Sequence, residues 1–286
     1  MLIHATRRKV TALVASVAAT MLAAITMVAG PAVPNAQAQN GNMVIFGDSW
    51  VADPPLEQWA AGKLGLDARG SSNVTTWCPT SNNNFGKVAA RQLGLAAHDY
   101  SCTGTVTISQ GPQLSSQVNR AINNRGLNHD TRRVLISVGF NDTYNNEGRP
   151  HADIRRDFVN YMRPQVDRIR AHAPNARIQF VGYPQISDGR GNVCLFHVGP
   201  NMHDVTPLAK ITEWENLGQW MLVDAAHATG TQFVDLKPAT RNNHMCAPDH
   251  MRMWPGLVDF YAGAGNMPFH FTQRGHDYVG GIVARS

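Results

Sequence analysis

The sequence has little net charge, and most of that charge lies near its amino terminus. The formal net charge of the 286 residues is +5, and three of the basic residues are Arg7, Arg8 and Lys9. Because the first 38 residues contain no acidic residue, the rest of the chain carries only +2. A chain so nearly neutral lacks the strongly basic surface of nucleic-acid-binding proteins, so no nucleic-acid partner is expected.

The sequence also lacks internal repeats and low-complexity tracts, and its long apolar run lies at the amino terminus. That run, Val10 to Gly30, follows the three basic residues and precedes the small-residue site Ala36-Gln37-Ala38. This order predicts a secretory signal peptide over residues 1–38, cleaved after Ala38. A membrane anchor is the alternative because the run is about long enough to span a bilayer, but its weak, alanine-rich apolarity and the Ala-x-Ala site favour cleavage.

Cleavage would leave residues 39–286, whose 248 residues fit a single catalytic domain with its own hydrophobic core. We expect no transmembrane segment in this mature chain. The expected location is outside the cell, with the protein either free or associated with the cell envelope. The sequence does not indicate an oligomeric state.

Cysteine is scarce, and all four cysteines lie beyond the predicted signal peptide. An even number of cysteines in an oxidising compartment predicts two disulfides, rather than free thiols or a metal site. Among the pairings that four cysteines allow, we favour Cys78 with Cys102 and Cys194 with Cys246. Each of these two bonds would tie a long loop near the carboxyl end of a predicted sheet.

Five short β-rich segments alternate with helix-like segments along the chain. The strands are predicted at Met43–Phe46, His98–Cys102, Arg133–Val138, Arg177–Gly182 and Gln232–Leu236. The helices are predicted at Leu56–Leu64, Phe85–Leu93, Leu114–Asn123, Ile154–Ala173 and Leu208–Ala228. This alternation predicts an α/β fold with a mostly parallel sheet covered by helices on both faces, and a ligand site where the strands end. Two long irregular stretches, Pro184–Thr206 and Lys237–Phe269, are expected to form loops around that site.

The first predicted strand leads directly into Gly47-Asp48-Ser49-Trp50. The glycine permits a tight turn, which presents the Ser49 hydroxyl at the carboxyl end of the strand, where a nucleophile is expected. The motif is short, however, and Asp-Ser also occurs at ordinary helix amino termini. Ser49 therefore needs partners elsewhere in the chain before it can be interpreted as a nucleophile.

Those partners follow later strands. A serine nucleophile requires a base, and the segment Pro268–Thr272 supplies His270 just before a short final helix. Acyl transfer also requires donors for the developing oxyanion, and two strand ends offer the backbone N–H of Gly104 and the side-chain amide of Asn141. His276, one turn into the final helix, is interpreted as structural.

In this order, Gly47-Asp48-Ser49, Gly104, Gly139-Phe140-Asn141-Asp142 and His270 resemble the sequence blocks of the SGNH/GDSL hydrolase family. The resemblance covers essentially the whole mature chain, and the motifs are similar to those of secreted actinobacterial lipases and esterases of this family. It implies a three-layer α/β/α, flavodoxin-like fold with a mostly parallel, five-stranded sheet.

The resemblance also implies a serine esterase or lipase that hydrolyses carboxylic acyl esters through an acyl-Ser49 intermediate. Ser49 would be the nucleophile and His270 its general base. The N–H groups of Ser49 and Gly104, together with the Asn141 amide, would form the oxyanion hole. No metal or organic cofactor is expected, and the partner is an acyl ester or lipid substrate.

One position departs from the family pattern, because an Asp commonly precedes the catalytic histidine by three residues and Met267 stands there. The third member is then either the backbone carbonyl of Met267, accepting the Nδ1 proton of His270, or Asp259 from the preceding loop. A literal Asp-x-x-His occurs at Asp224–His227, but it lies on the helix before the fifth strand. We interpret it as part of a surface helix, away from the expected site.

Two other functions would use the same fold. An acyltransferase would pass the acyl group from Ser49 to a sugar or lipid hydroxyl instead of water. A non-catalytic binding protein is motivated by the missing acid, but it is disfavoured because the nucleophile and every oxyanion donor are present. The segment His244–His250 has the residue types of a zinc site without a standard spacing, so a loop beside the site is expected instead.

Overall fold

The structure is a computed structural model, and it describes residues 41–64, 78–263, 265 and 267–286. The predicted signal peptide, residues 1–38, lies outside the described residues and stays a prediction. Within the described ranges, no helix is long and apolar enough to cross a membrane.

A five-stranded sheet with every pair of neighbours parallel forms the centre of the fold. Its strands are β1 (Asn42–Gly47), β2 (Ala96–Asp99), β3 (Thr131–Ser137), β4 (Arg177–Val181) and β9 (Gln232–Val234), in the spatial order β2-β1-β3-β4-β9. Every residue of β1 is buried, as expected for a strand covered by helices on both faces. All five carboxyl ends therefore meet along one edge of the sheet.

The helices fall where the apolar periodicity predicts them, with small shifts at their ends. In chain order they are α1 (Ser49–Ala52), α2 (Leu56–Leu64), α3 (Phe85–Gln92), α4 (Leu114–Asn123), α5 (Phe140–Asn145), α6 (His151–His172), α7 (Ala209–Thr229), α8 (Lys237–Thr240) and α9 (Gln273–Arg285). Helix α9 packs against α3, and α6 packs against α7. The short helices α1, α5 and α8 were not expected from the sequence, because each spans six residues or fewer.

The predicted α/β fold, flavodoxin-like with a parallel five-stranded sheet, is confirmed. The second strand is displaced from its expected position, since it spans Ala96–Asp99 and not His98–Cys102. Its register with β1 runs from Ala96 to Asp99. Backbone hydrogen bonds to β1 continue beyond it, from the Tyr100 N–H to the Ile45 carbonyl at 2.9 Å and from the Cys102 N–H to the Gly47 carbonyl at 3.1 Å. The Asp99 carboxylate then accepts hydrogen bonds from the backbone N–H and the hydroxyl of Ser101, at 3.0 and 2.6 Å. The predicted segment His98–Cys102 nevertheless stays hydrogen-bonded to β1, although the regular strand ends at Asp99.

The two long loops expected around the site contain short strands that join them. Strands β5 (Asn192–Val193) and β8 (Thr206–Pro207) pair with each other. Strand β6 (Phe196–Gly199) pairs with β7 (Met202–His203) in the first loop and with β10 (Val258–Asp259) in the second. The two loops are therefore joined by strand pairing into one small folded unit.

Both favoured disulfides are present. Cys78 is bonded to Cys102, directly after β2, and Cys194 is bonded to Cys246. The second bond connects the two long loops next to the pairing of β6 with β10. Among the described residues no cysteine is free.

Removing the Cys194–Cys246 bond in the double variant Cys194→Ser/Cys246→Ser is expected to lower the free energy of unfolding by about 2–4 kcal/mol. The bond closes a 52-residue separation, against 24 residues for Cys78–Cys102, so its loss frees more chain entropy in the unfolded state. Urea unfolding of both double variants measures the effect. An equal or larger loss for Cys78→Ser/Cys102→Ser would contradict the loop-length explanation.

Candidate active site

The turn after β1 places Ser49 at the first position of α1. A Cβ at Gly47 would lie 2.3 Å from a Val51 methyl carbon and 2.7 Å from the Ser137 carbonyl oxygen, so only glycine fits there. Asp48 caps α1, because its side chain accepts the Trp50 N–H at 3.2 Å. The Ser49 N–H has no acceptor within the described part of the chain and points from a helix start, where donors are unpaired.

A tight turn before α9 fixes His270. The His270 N–H donates to the Met267 carbonyl at 3.3 Å, and Phe269 adopts a left-handed backbone with φ of +61°. The His270 Nδ1 lies 2.8 Å from the Pro268 carbonyl oxygen. Since a carbonyl can only accept, Nδ1 carries the proton, and Nε2 keeps its lone pair.

The His270 Nδ1 is bonded to neither of its expected partners, the Met267 carbonyl and Asp259. Its acceptor is the Pro268 carbonyl. The Met267 carbonyl is used by the backbone N–H of His270, which closes the turn. Asp259 is engaged elsewhere, because it forms an ion pair with the fully buried Arg252 and accepts the N–H groups of Gly256, Tyr261 and Ala262 at 2.9 Å each. Burial opposes ionisation of Asp259, but these hydrogen bonds outweigh it and lower its pKa to about 2.

Asn141 lies in the first turn of α5, directly after β3, with its side-chain amide held at both ends. Its Nδ2 donates to the Thr105 carbonyl at 2.9 Å, and its Oδ1 accepts the Tyr144 hydroxyl at 2.6 Å. An amide nitrogen has two protons, so one N–H of Asn141 remains available. The Thr105 contact also fastens the turn after β3 to the loop after β2.

That loop carries Gly104, whose φ is +75°. The Gly104 N–H donates to no other group among the residues described. The loop is held from the other side by the buried carboxylate of Asp142, which accepts the N–H groups of Thr107, Ile108 and Ser109 at 2.8–3.1 Å. Gly104 does not line the cavity at Ser49, in contrast to Asn141.

A cavity of about 360 Å³ joins these elements at the carboxyl edge of the sheet. Ser49, Asn141 and His270 all line it, so the structure brings together three of the predicted site residues. The other lining residues are mostly apolar or aromatic: Asp48, Trp50, Phe140, Tyr144, Tyr183, Ile186, Trp254 and Phe269. Ile186 and Trp254 come from the two long loops, as expected.

Over residues 45–278 the sequence matches the family model of the GDSL-like lipases and acylhydrolases. The chain belongs to this family. The match includes Ser49, Asn141 and His270, and it confirms the resemblance found in the sequence blocks. No curated protein matches the sequence.

Solved structures show the same fold as this GDSL-like chain. Phospholipase A1 from Streptomyces albidoflavus NA297 superposes with a TM-score of 0.52 at 16% identity, over 86% of this chain and 98% of that one. A carbohydrate esterase family 2 enzyme with a carbohydrate-binding domain, from Corynascus thermopiles (Myceliophthora fergusii), gives 0.52 at 18% identity, over 88% and 67% of the two chains. At these identities the likeness concerns the fold.

Two titrating groups of this GDSL-like site have shifted pKa values. Burial lowers the pKa of His270 below its ordinary value of 6.5, and this effect exceeds the opposite effect of the hydrogen bond to Pro268. Burial raises the pKa of Asp48 to about 7, although hydrogen bonds from Tyr183 and the Trp50 N–H act in the other direction. At neutral pH His270 is therefore unprotonated, as a general base must be.

Of the rejected patterns, Asp224–His227 lies away from the cavity, whereas His244–His250 adjoins it, because the Met245 N–H donates to the carbonyl of the lining residue Ile186 at 2.9 Å. Asp224 and His227 are both on α7, where Asp224 binds Arg155 of α6 at 2.6 and 2.8 Å and His227 is exposed. Cys246 is disulfide-bonded, and the described residues contain no group of three histidine, cysteine or acidic side chains arranged to hold a metal. His276 is buried and binds Asp53 at 2.9 Å, a structural contact between α9 and the residue after α1.

Two residues that the sequence did not single out hold the turns of the site. Gln117 of α4 accepts the Gly47 N–H at 3.0 Å and donates to the Gly47 carbonyl at 2.7 Å and to the Thr105 hydroxyl at 2.8 Å. Tyr183, two residues after β4, donates its hydroxyl proton to Asp48 at 2.5 Å and accepts the Phe140 N–H at 3.0 Å. Neither position follows from periodicity, because both contacts join segments far apart in the chain.

Proposed function

We propose that this chain is a secreted serine esterase that hydrolyses carboxylic acyl esters, with Ser49 as nucleophile and His270 as general base. One observation carries the proposal. The Pro268 carbonyl leaves the Nε2 lone pair of His270 free, and His270 lines the same cavity as the Ser49 side chain. Family membership supports ester chemistry in general, and the site residues supply the specific assignment.

The proposed reaction has two halves. His270 Nε2 removes the proton from Ser49 Oγ as that oxygen attacks the acyl carbon, and the same proton then passes to the departing alcohol. The charge on the carbonyl oxygen is stabilised by the Ser49 N–H, the Gly104 N–H and the free N–H of Asn141. A water molecule, deprotonated by His270 Nε2, then attacks the acyl carbon of acyl-Ser49. The bond to Ser49 Oγ breaks, the proton passes from His270 to that oxygen, and the acid is released.

The cavity favours an apolar acyl group. Trp50, Phe140, Trp254 and Ile186 line it, and its volume of about 360 Å³ lies within the usual range of small-ligand sites. A bare acetyl group would leave most of that surface without contacts. We therefore assign esters with an aliphatic acyl chain as the substrate class.

Secretion is the second part of the proposal, with residues 1–38 as a cleaved signal peptide and residues 39–286 as the catalytic domain. Two disulfides support an oxidising location outside the cytoplasm. Mass spectrometry of protein recovered from the culture medium should give an amino terminus at Gln39. Recovery of the full-length chain in the membrane fraction would favour the anchor instead.

The activity is tested by release of p-nitrophenol from acyl esters graded from acetate to palmitate. We expect hydrolysis with a preference for chains longer than acetate, and free acid equal to the p-nitrophenol released. Repeating the assay with excess glycerol or sugar distinguishes acyl transfer, because an acyltransferase would form acylated acceptor in place of acid. No release above the blank at any chain length would contradict the proposed esterase.

Replacing Asn141 with alanine is expected to lower kcat by about two to three orders of magnitude, with a smaller change in KM. The amide stabilises charge that develops mainly in the transition state, so its loss affects the chemical step. Asn160→Ala, on the exposed side of α6, is the matched control. A loss confined to KM would show that Asn141 binds substrate without serving the oxyanion.

The acid side of the pH profile reports on His270. Because burial lowers its pKa, the fraction of unprotonated base stays high down to below pH 6.5, and kcat/KM should fall only as pH drops through this lowered value. Steady-state rates between pH 4 and pH 9 measure the midpoint. A midpoint clearly above 6.5 would mean either that His270 is stabilised in its charged form or that Asp48, whose pKa is about 7, controls the profile.

A further inference from the structure

A buried chain of hydrogen bonds connects two of the three turns that carry the proposed oxyanion donors, the Ser49 turn and the Asn141 turn. It runs from the Trp50 N–H to the Asp48 carboxyl at 3.2 Å, from Asp48 to the Tyr183 hydroxyl at 2.5 Å, and from Tyr183 to the Phe140 N–H at 3.0 Å. Asp48 and Tyr183 are each 2% exposed. Water therefore does not compete for these contacts.

Each end of this chain adjoins a proposed donor. Asp48 and Trp50 flank Ser49, whose own N–H is unpaired within the described residues. Phe140 directly precedes Asn141, and its N–H is the first of α5. The two turns follow β1 and β3, whereas Tyr183 follows β4, so one side chain from a third strand bridges the other two.

The Tyr183 ring is held firmly enough to act as a spacer. Its centroid lies 5.3 Å from the Trp50 ring and 5.3 Å from the Phe140 ring. Trp50 is fixed in turn, because its indole N–H donates to the Ser137 hydroxyl at 2.9 Å and that hydroxyl donates to the Val181 carbonyl at 2.7 Å. The ring position is therefore set by packing, and the hydroxyl adds the two polar contacts.

We propose that Tyr183 is a positioning residue, which holds the Ser49 turn and the Asn141 turn at the separation that a tetrahedral oxyanion requires. It acts through Asp48 and the Phe140 N–H and forms no bond with the reacting atoms. The inference rests on the proposed esterase function, because the spacing matters only if both turns serve one oxyanion. A displacement of about 1 Å at such donors can cost about 100-fold in rate, since preorganised geometry is the source of their effect.

Tyr183→Phe tests the proposal, because it removes the hydroxyl and keeps the ring between Trp50 and Phe140. We expect kcat to fall by about 10- to 100-fold while KM changes by less than about twofold. Tyr161→Phe is a closely matched control. The Tyr161 hydroxyl accepts the Ser115 N–H at 2.9 Å, also in the first turn of a helix, but it lies outside the cavity. Its kcat should equal that of the wild type.

A merely structural role predicts a different result. In that case Tyr183→Phe would lower the melting temperature, but kcat per titrated active site would match that of Tyr161→Phe, and the proposal would be overturned. Asp48→Ala supplies a second variant if Tyr183→Phe does not fold, with the same expected loss of kcat. In the double variant Tyr183→Phe/Asp48→Ala the two losses of kcat should not multiply, because both changes break the same chain of hydrogen bonds. Losses that multiply would also overturn the proposal.

The controls separate this inference from the proposed function. If the wild type and Tyr161→Phe hydrolyse no ester, the esterase function fails and the positioning role fails with it. If both hydrolyse esters and Tyr183→Phe does so equally well, the esterase function stands and the positioning role alone is wrong.

Discussion

Replacing Ser49 with alanine should lower kcat/KM for p-nitrophenyl esters by about four to six orders of magnitude. Alanine lacks the oxygen that forms the acyl intermediate, so only direct attack by water remains. The oxyanion donors and substrate contacts stay in place and supply a residual rate above the uncatalysed one. Initial rates with the variant at high enzyme concentration measure the loss.

The Ser49→Ala variant should fold normally, because the α1 cap uses the side chain of Asp48 and the N–H of Trp50, not the Ser49 hydroxyl. Equal melting temperatures for the variant and the wild type would exclude misfolding as the cause of the loss. Ser116→Ala, on the exposed surface of α4, is the matched control and should keep full activity. Residual activity above about one per cent of wild type in Ser49→Ala would show that another group is the nucleophile.

The second large effect is expected for His270→Ala, with a loss of kcat/KM comparable to that of Ser49→Ala. Nucleophile and base act as a unit, so the double variant should be no slower than either single variant. The measurement is the same ester assay at pH 8, where His270 of the wild type is unprotonated. Free imidazole added to His270→Ala should restore part of the rate, because it can enter the vacated space and accept the proton.

His227→Ala is the matched control for His270→Ala. It removes the histidine of the literal Asp-x-x-His pattern, which is exposed on α7 and distant from the cavity in the described structure. We expect it to keep wild-type activity. A large loss of kcat/KM in His227→Ala together with a small loss in His270→Ala would indicate that His227, and not His270, is the general base.

The sequence was sufficient to predict the layout of the sheet and the meeting of three site residues. Parallel strands present their carboxyl ends at one edge, so residues placed directly after β1 and β3 converge without knowledge of side-chain geometry. Ser49 and Asn141 follow this rule. His270 was predicted from the chemistry that a serine nucleophile requires, and the structure places it at the same cavity.

The acceptor for His270 could not be predicted, because it depends on the conformation of one turn. Phe269 has a positive φ, which a residue other than glycine seldom adopts, and this turns the Pro268 carbonyl instead of the Met267 carbonyl toward Nδ1. Asp259 was a reasonable candidate by its position. Its carboxylate is occupied by the buried Arg252, a competition that only the folded structure reveals.

Tyr183 and Gln117 were missed for a related reason. Their roles depend on side-chain hydrogen bonds to residues 135 and 70 positions away in the chain, and neither lies in a recognisable motif. Aromatic and amide residues are common in such segments, where they most often pack without a special role. Only the placement of their polar atoms beside the Ser49 and Asn141 turns distinguishes them.

The identity of the nucleophile is tested most directly by covalent labelling with a fluorophosphonate, which reacts with an activated serine. Peptide mass spectrometry should find one adduct per chain, on Ser49, and esterase activity should disappear in proportion to labelling. Ser49→Ala should acquire no adduct, and His270→Ala should react far more slowly because its serine lacks a base. An adduct on a different residue, or full ester hydrolysis by protein completely modified at Ser49, would contradict the assignment.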